Sequence, residues 1–414
     1  MNAVYKKEQC RLCGSSGLET VVRLTPTPPG NHFVKREDLA LPQQTYPLEL
    51  NFCPHCHHVQ LGHVVHPDIL YRTNYSYVSG TSPVFVRHLQ EYAAFVIEKY
   101  ALPRGGLVLD IGSNDGTALR FFQEAGFQVL GLDPATEVVR GANARGIQTV
   151  CEFFSLDVAR QLEPQYGKAI LINAHNSCAH IDALESVIRG AHLWLADEGL
   201  FVIEVGYLLD IIEQGWFDTI YHEHVDFHSL EPLVEFLTRL GFNVIAAQRV
   251  SPQGGSIRII SQKAGGSRRP DGSIPTLIRE EHAAGLHQAE TFRRFGAKID
   301  DIGRRLYALL AGLRAEGKRI AGFGAPTKAT TMLSHFRLGD TLEFLVDDNP
   351  LKQNLYSPGL HIPVVSAEEL YRRKPDYLLI LAWNFAENIM ERHKAFRASG
   401  GRFILPMPHP RVCD

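Results

Sequence analysis

The feature that most constrains this chain is a strand–helix alternation that runs, stops and starts again. Leu107-Val-Leu-Asp-Ile111, Gln128-Val-Leu-Gly-Leu132, Lys168-Ala-Ile-Leu-Ile-Asn173 and Gly199-Leu-Phe-Val-Ile-Glu204 are short apolar runs separated by helical stretches such as Thr117–Ala125. Strands that are apolar on both faces and joined by helices belong to a mainly parallel sheet covered on both sides. A polar connector, Gly265-Gly-Ser-Arg-Arg-Pro-Asp-Gly-Ser273, and a long helical pattern follow. The alternation then restarts with Arg319-Ile-Ala-Gly-Phe323, Thr341-Leu-Glu-Phe-Leu-Val346 and Tyr377-Leu-Leu-Ile-Leu-Ala382. Two α/β units are expected, and 414 residues hold both with material left over at the N-terminus, since a domain takes about 150 residues.

That leftover region has too little apolar material for a core of its own and needs a staple. It contains Cys10-Arg-Leu-Cys13 and Cys53-Pro-His-Cys56 around a Pro-rich run, Thr25-Pro-Thr-Pro-Pro-Gly30. Four thiolates close a tetrahedral shell around zinc and leave no open position for water, which makes the site structural. Unrelated buried thiols, or one redox pair, are the competing explanation. The expected divisions are 1–75, 76–265 and 266–414. With 42 Lys and Arg against 45 Asp and Glu, the net charge is −3 and no basic footprint for nucleic acid stands out. Neither a membrane span of roughly 20 apolar residues nor a secretory signal is evident. A cytoplasmic enzyme is expected.

The first strand leads into Asp110-Ile-Gly-Ser-Asn-Asp-Gly116, and the second ends at Asp133. Glycines let backbone approach a ligand, the following helix offers free N–H groups, and an acid on the next strand accepts ribose hydroxyls. The spacing is not the Gly-x-Gly-x-x-Gly favoured by pyrophosphate, and Asp115 is a poor neighbour for phosphate. A ligand with an adenosine and a positive group but no phosphates fits better, namely S-adenosylmethionine. Asp110, Gly112, Asn114, Asp115, Gly116, Asp133 and Asn173, at the end of the third strand, are the candidate cofactor residues.

Thr219-Ile-Tyr-His-Glu-His224 is the densest titratable cluster and follows Trp216-Phe-Asp218. It lacks the i, i+4 histidine spacing of helical zinc proteases. An imidazole beside a carboxylate and a phenol suits removal of a proton next to a carbonyl, with a second donor on the enolate oxygen. A polar loop without chemistry is the alternative. His180, after the third strand, lies where such sheets place ligand-facing loops, and Tyr75 and Tyr77 could close over the site.

Together these residues resemble the sugar C-methyltransferases that act on nucleotide-linked deoxysugars. The resemblance covers nearly the whole chain. Beyond both Cys pairs, Asp110–Gly116 and Phe217–His224, it includes Gly254-Gly-Ser-Ile-Arg258, Gly322-Phe-Gly-Ala-Pro-Thr-Lys328 and Asp347-Asp-Asn-Pro-Leu-Lys352. It implies an α/β protein with a small N-terminal zinc-binding module, a central Rossmann-like methyltransferase domain and a second, C-terminal Rossmann-like domain. It further implies methyl transfer from S-adenosylmethionine to C3 of a 4-keto hexose on a nucleoside diphosphate, commonly dTDP. On this sequence His224 becomes the base, helped by Glu223. Tyr221 and His180 hold the substrate or its enolate, and Tyr75 or Tyr77 is the tyrosine from the first region. Arg258, Gly324, Lys328, Asp347 and Lys352 are the candidate substrate contacts. An epimerase on the same sugars and a non-catalytic zinc-containing binding protein are the rival functions.

Overall fold

The computed structural model describes residues 3–72 and 78–413. Its largest sheet has seven strands in the order Phe242–Val250, Ser256–Lys263, Leu195–Gly206, Ala169–His175, Leu107–Ile111, Gln128–Leu132, Thr149–Val150. The five strands from Leu195–Gly206 to Thr149–Val150 are parallel; Ser256–Lys263 runs antiparallel to both its neighbours. Strand order reverses beside Leu107–Ile111, whose five residues are all buried. In a sheet of this kind the ligand crevice lies outside the strand ends at that reversal.

The C-terminal sheet repeats the plan with six strands: Val364–Val365, Leu345–Val346, Ile320–Phe323, Tyr377–Ile380, Arg402–Leu405 and an antiparallel Arg411–Cys413. The strand expected over 341–346 is only Leu345–Val346, because Gly339–Thr341 coil into a 3-10 turn first.

The N-terminal region forms a four-stranded antiparallel sheet, and its outermost strand comes from elsewhere. Glu19–Thr27, Tyr46–Phe52 and Val59–Leu61 are joined by Asp226–Phe227, which directly follows the histidine cluster. The Ala289–Ala315 helix buries Phe292, Phe295, Ile299, Ile302, Leu306 and Leu310, a run at helical spacing. Phe292 meets Phe52 of the N-terminal sheet at 5.6 Å between ring centroids. At about 1.5–3 kcal/mol per fully buried side chain, this helix supplies the apolar cover that residues 1–75 lack. A single apolar cluster consequently runs through all three parts, from Cys10 to Met407. Among the described residues no helix is long and apolar enough to cross a membrane.

Candidate functional site

A cavity of about 900 Å³ opens at the carboxyl ends of the Leu107–Ile111 and Ala169–His175 strands. It extends between the central sheet, the N-terminal region and the first turn of the C-terminal unit. At one end stands the glycine turn. Gly112 has φ +75°, which bends the chain sharply away from the strand. The Asp133 carboxylate pins this turn, accepting the Asn114 amide at 2.9 Å on one oxygen and the Ala135 amide at 2.9 Å on the other. Burial raises its pKa. Each oxygen retains a lone pair, and Asp133 lines the cavity with Gly112 and Asn114.

Beside them, both ring nitrogens of His175 and Nδ2 of Asn176 are buried without a hydrogen-bond partner, and both residues line the same wall. Such orphaned groups call for a polar ligand. The wall thus offers a ribose acceptor and further polar partners for a nucleoside carrying an amino-acid chain, which is the make-up of S-adenosylmethionine.

Four of the expected cofactor residues stand behind that wall. Asp110 is buried, with His175 Nδ1 3.8 Å away. Asp115 accepts the Thr117 hydroxyl at 2.6 Å and its amide at 3.3 Å, so it caps the Thr117–Glu124 helix. Gly116 is the residue preceding that helix. Asn173 is fully buried and accepts the Tyr92 hydroxyl.

At the other end the histidine loop closes the cavity. His224 Nδ1 lies 2.8 Å from the Thr219 carbonyl, which can only accept, so Nδ1 carries the proton. Nε2 is therefore the lone-pair nitrogen, and the Tyr221 hydroxyl donates to it at 2.9 Å. Burial pushes the His224 pKa down to about 4, so the imidazole is neutral at pH 7. His180 packs edge-on to it at 4.9 Å and is held well below its ordinary value by burial and by His224. Tyr71 donates to the Glu223 carbonyl at 3.2 Å and lies 3.1 Å from His180 Nδ1.

Glu223 is the meeting point of the three parts. Asn31 donates to its carboxylate at 3.0 Å, and Lys352 faces it from the C-terminal unit. Burial nevertheless raises Glu223 to about 7. Lys352 itself is lowered by burial and donates to the Ala325 carbonyl at 2.9 Å. Lys328 sits over the Trp216 ring at 5.1 Å. Trp216 in turn meets Trp383 edge-on at 5.5 Å and presses its indole against Gly254.

His180, Tyr221, Glu223, His224, Lys328 and Lys352 all line this cavity. Three expected substrate contacts do not. Arg258 donates to Glu204 at 2.8 Å and lies over Tyr92, locked between strands of the central sheet. Gly324 and Asp347 form the turn beneath the C-terminal wall, where Asp347 is consumed by the amides of Ala325 and Asn349. Tyr75 and Tyr77 lie outside the described residues. Asn31, Tyr71, His175 and Thr327 line the cavity without having been expected there. Asn31 follows the Pro-rich run, which reads locally as a spacer; Thr327 sits inside the Gly322–Lys328 motif, directly before Lys328, and Tyr71 and His175 have no motif around them.

Away from the cavity, Cys10 and Cys56 Sγ are 3.5 Å apart and Cys13 and Cys53 Sγ are 3.6 Å apart; all four sulfurs lie within 4.8 Å of one another. A tetrahedron with zinc–sulfur bonds of about 2.3 Å has edges of about 3.8 Å. The cluster fits a structural zinc ion.

Residues 10–71 match a family described as "Putative zinc binding domain", 85–247 a methyltransferase domain and 251–408 a C-methyltransferase C-terminal domain. C-methyltransferase NovU from Streptomyces niveus is 34% identical over 406 residues, covering 98% of this chain and 96% of its own. Two solved structures overlap only part of the chain. Magnesium protoporphyrin IX methyltransferase from Synechocystis PCC 6803, with bound S-adenosylmethionine, is 12% identical over 43% of this chain and 79% of its own, at a TM-score of 0.34. The Burkholderia thailandensis 1,6-didemethyltoxoflavin-N1-methyltransferase is 18% identical over 45% and 82%, also at 0.34. Those scores add nothing to the strand order described above. The end-to-end match carries the conclusion: the chain belongs to the C-methyltransferase family and is an S-adenosylmethionine-dependent methyltransferase with an N-terminal zinc module.

Proposed function

We propose that this enzyme methylates C3 of a 4-keto deoxyhexose carried on a nucleoside diphosphate, dTDP being the first candidate, through an enolate. The observation that carries the reading is a neutral imidazole whose lone-pair nitrogen is defined, sharing one cavity with a built nucleoside wall. A carbonyl at C4 acidifies the C3 proton. His224 Nε2 takes that proton, the C3–H electron pair becoming the enolate. The one lone pair of Nε2 is available for this only after the Tyr221 hydroxyl turns from it to the C4 oxygen of the substrate, where it then donates to the enolate. His180 holds the sugar beside it, and Glu223, poised at about 7, tunes the loop from behind. S-adenosylmethionine supplies an electrophilic sulfonium methyl; Gly112, Asn114 and Asp133 hold its nucleoside so that carbon and methyl stay in line. Lys328 and Lys352 supply the positive charge a diphosphate requires on the opposite wall.

In this reading the chain divides into a zinc module at 1–75, a methyltransferase domain at 76–265 and a nucleotide-sugar domain at 266–414. A site of four thiolates suits a reducing compartment, hence the cytoplasm.

The test is to incubate the protein with S-adenosylmethionine and a panel of 4-keto nucleotide sugars deuterated at C3. Mass spectrometry should show one sugar gaining a methyl group and losing its deuterium. Deuterium loss without methylation in the presence of bound cofactor would make the enzyme an epimerase instead.

A further inference from the structure

Arg11 stands between two of the zinc-binding cysteines, and its side chain is fully buried. Its Nε donates to Asp182 Oδ1 at 2.8 Å, and its Nη1 donates to the carbonyls of Val225 at 3.1 Å and Leu61 at 3.2 Å. Asp182 lies two residues beyond His180, and Val225 directly follows His224. The two loops are also tied to each other there, for the Val225 amide donates to the Ala179 carbonyl at 2.8 Å. Asp182 collects Tyr5 and Lys7 as well, at 2.5 and 3.2 Å.

The second cysteine pair reaches the same place. His58, two residues beyond Cys56, has Nε2 2.7 Å from Asp226, and Asp226 pairs with Gln60 as the edge strand of the N-terminal sheet. Gln60 accepts the Arg11 amide at 2.8 Å. Arg11 Nη1 lies 3.7 Å from the Asp226 carboxylate. The loop carrying His224 is therefore held by the zinc module, and so is the loop carrying His180.

We propose that Arg11 is a positioning residue for methyl transfer: its fork, mounted on the first Cys-x-x-Cys turn, sets the placement of His180 and His224 together. The proposal rests on the reading of His224 as the base. A lysine replaces the fork only in part, because a single ammonium does not reach a carboxylate and two carbonyls from one rigid plane. The zinc site thereby acts on the reaction through geometry while staying outside the cavity.

The experiment uses the full-length, zinc-loaded protein and four variants, Arg11→Met, Arg11→Lys, Asp182→Asn and His224→Ala. Zinc per chain, S-adenosylmethionine affinity, kcat, KM and deuterium washout from C3 of the sugar are measured for each. Arg11→Met should keep its zinc and bind cofactor within about twofold of wild type. Its kcat and C3 exchange should fall together by about 10²-fold, the loss typical of misplacing a reacting group by an ångström. Arg11→Lys should recover part of that loss. Backbone hydrogen exchange should quicken over 178–183 and 219–226. A zinc-loaded Arg11→Met enzyme with wild-type kcat, or one whose loss sits in KM with C3 exchange intact, overturns the proposal.

Should Arg11→Met fail to fold, Asp182→Asn decides, since it leaves Arg11 and the cysteines in place. A lower kcat with faster exchange over 178–183 supports the proposal, and an unchanged kcat defeats it. His224→Ala separates the two levels. If it still exchanges C3, the base assignment falls and the Arg11 role with it. If it is inactive while the Arg11 and Asp182 variants are normal, only the Arg11 role falls.

Discussion

The two glycine turns at the heads of the two parallel sheets share a hydrogen-bond plan and differ in what lies above them. In each, a glycine with positive φ ends the first strand, Gly112 at +75° and Gly324 at +90°. In each, the acid ending the neighbouring strand reaches back with one oxygen and caps its own chain with the other. Asp133 accepts from Asn114 and Ala135; Asp347 accepts from Ala325 and Asn349. Yet Asp133 lines a cavity and Asp347 does not. Above the second turn the chain has supplied its own cover. Lys352 donates to the Ala325 carbonyl, and Gly30 lies so close that a Cβ there would stand 2.5 Å from the Thr327 carbonyl oxygen. Two turns of one design thus serve different ends: the first shows its acid to the cavity, and the second keeps its acid for the backbone and shows Thr327, Lys328 and Lys352 instead.

Substitutions probe this contrast, beginning where the largest effect is expected. His224→Ala, at the end of the cavity opposite the first turn, should lower kcat by about 10³-fold or more while leaving S-adenosylmethionine affinity within twofold; general-base catalysis is worth about 10²–10⁴-fold. Isothermal titration alongside turnover checks both halves. Asp133→Ala should weaken cofactor binding by about 10–100-fold, as hydrogen bonds to a charged group are worth roughly 1.5–3 kcal/mol. Asp347→Ala should leave cofactor affinity unchanged and instead lower the urea midpoint by the equivalent of about 1 kcal/mol, since two part-buried amides lose their acceptor. If Asp347→Ala weakens the cofactor as much as Asp133→Ala does, the distinction between the two turns collapses.

The smallest effect concerns pH. Glu223 is raised to about 7 in the folded protein from an ordinary value of 4.5. Across that window the folded state holds a proton that the unfolded chain has released, so this residue's contribution to stability declines as pH rises. Glu223→Gln should remove the decline, and its melting temperature relative to wild type should climb from about pH 5 to about pH 8. A difference that stays flat would mean Glu223 titrates normally.

What the sequence made legible depended on how far apart the determining contacts lie. Leu107–Ile111 and Gln128–Leu132 were readable residue for residue because burial on both faces writes itself into one short run. The N-terminal sheet was not, because its cover comes from Phe292 and its fourth strand from Asp226–Phe227, both far along the chain from the strands they join. The same holds for the cavity. Tyr221, Glu223 and His224 stood out because titratable types crowd together in the chain, and His180 because it follows the third strand; all four share the cavity. Asn31 and His175 are solitary polar residues whose meaning appears only once the walls are assembled. Arg258 misled for the opposite reason: it sits in a distinctive motif, but its charge is spent on Glu204 within the sheet.

Gly254, in that same motif, has a different importance. With φ +92°, any side chain is strained there, and a Cβ would fall 1.2 Å from the Trp216 indole. Bare backbone at this point is what lets the indole come so close, with Trp383 against it and the Lys328 ammonium on its face. One methyl group added at position 254 would tip this aromatic plate and carry the lysine off its seat. A glycine without a side chain to offer therefore fixes where a positive charge stands on the far wall.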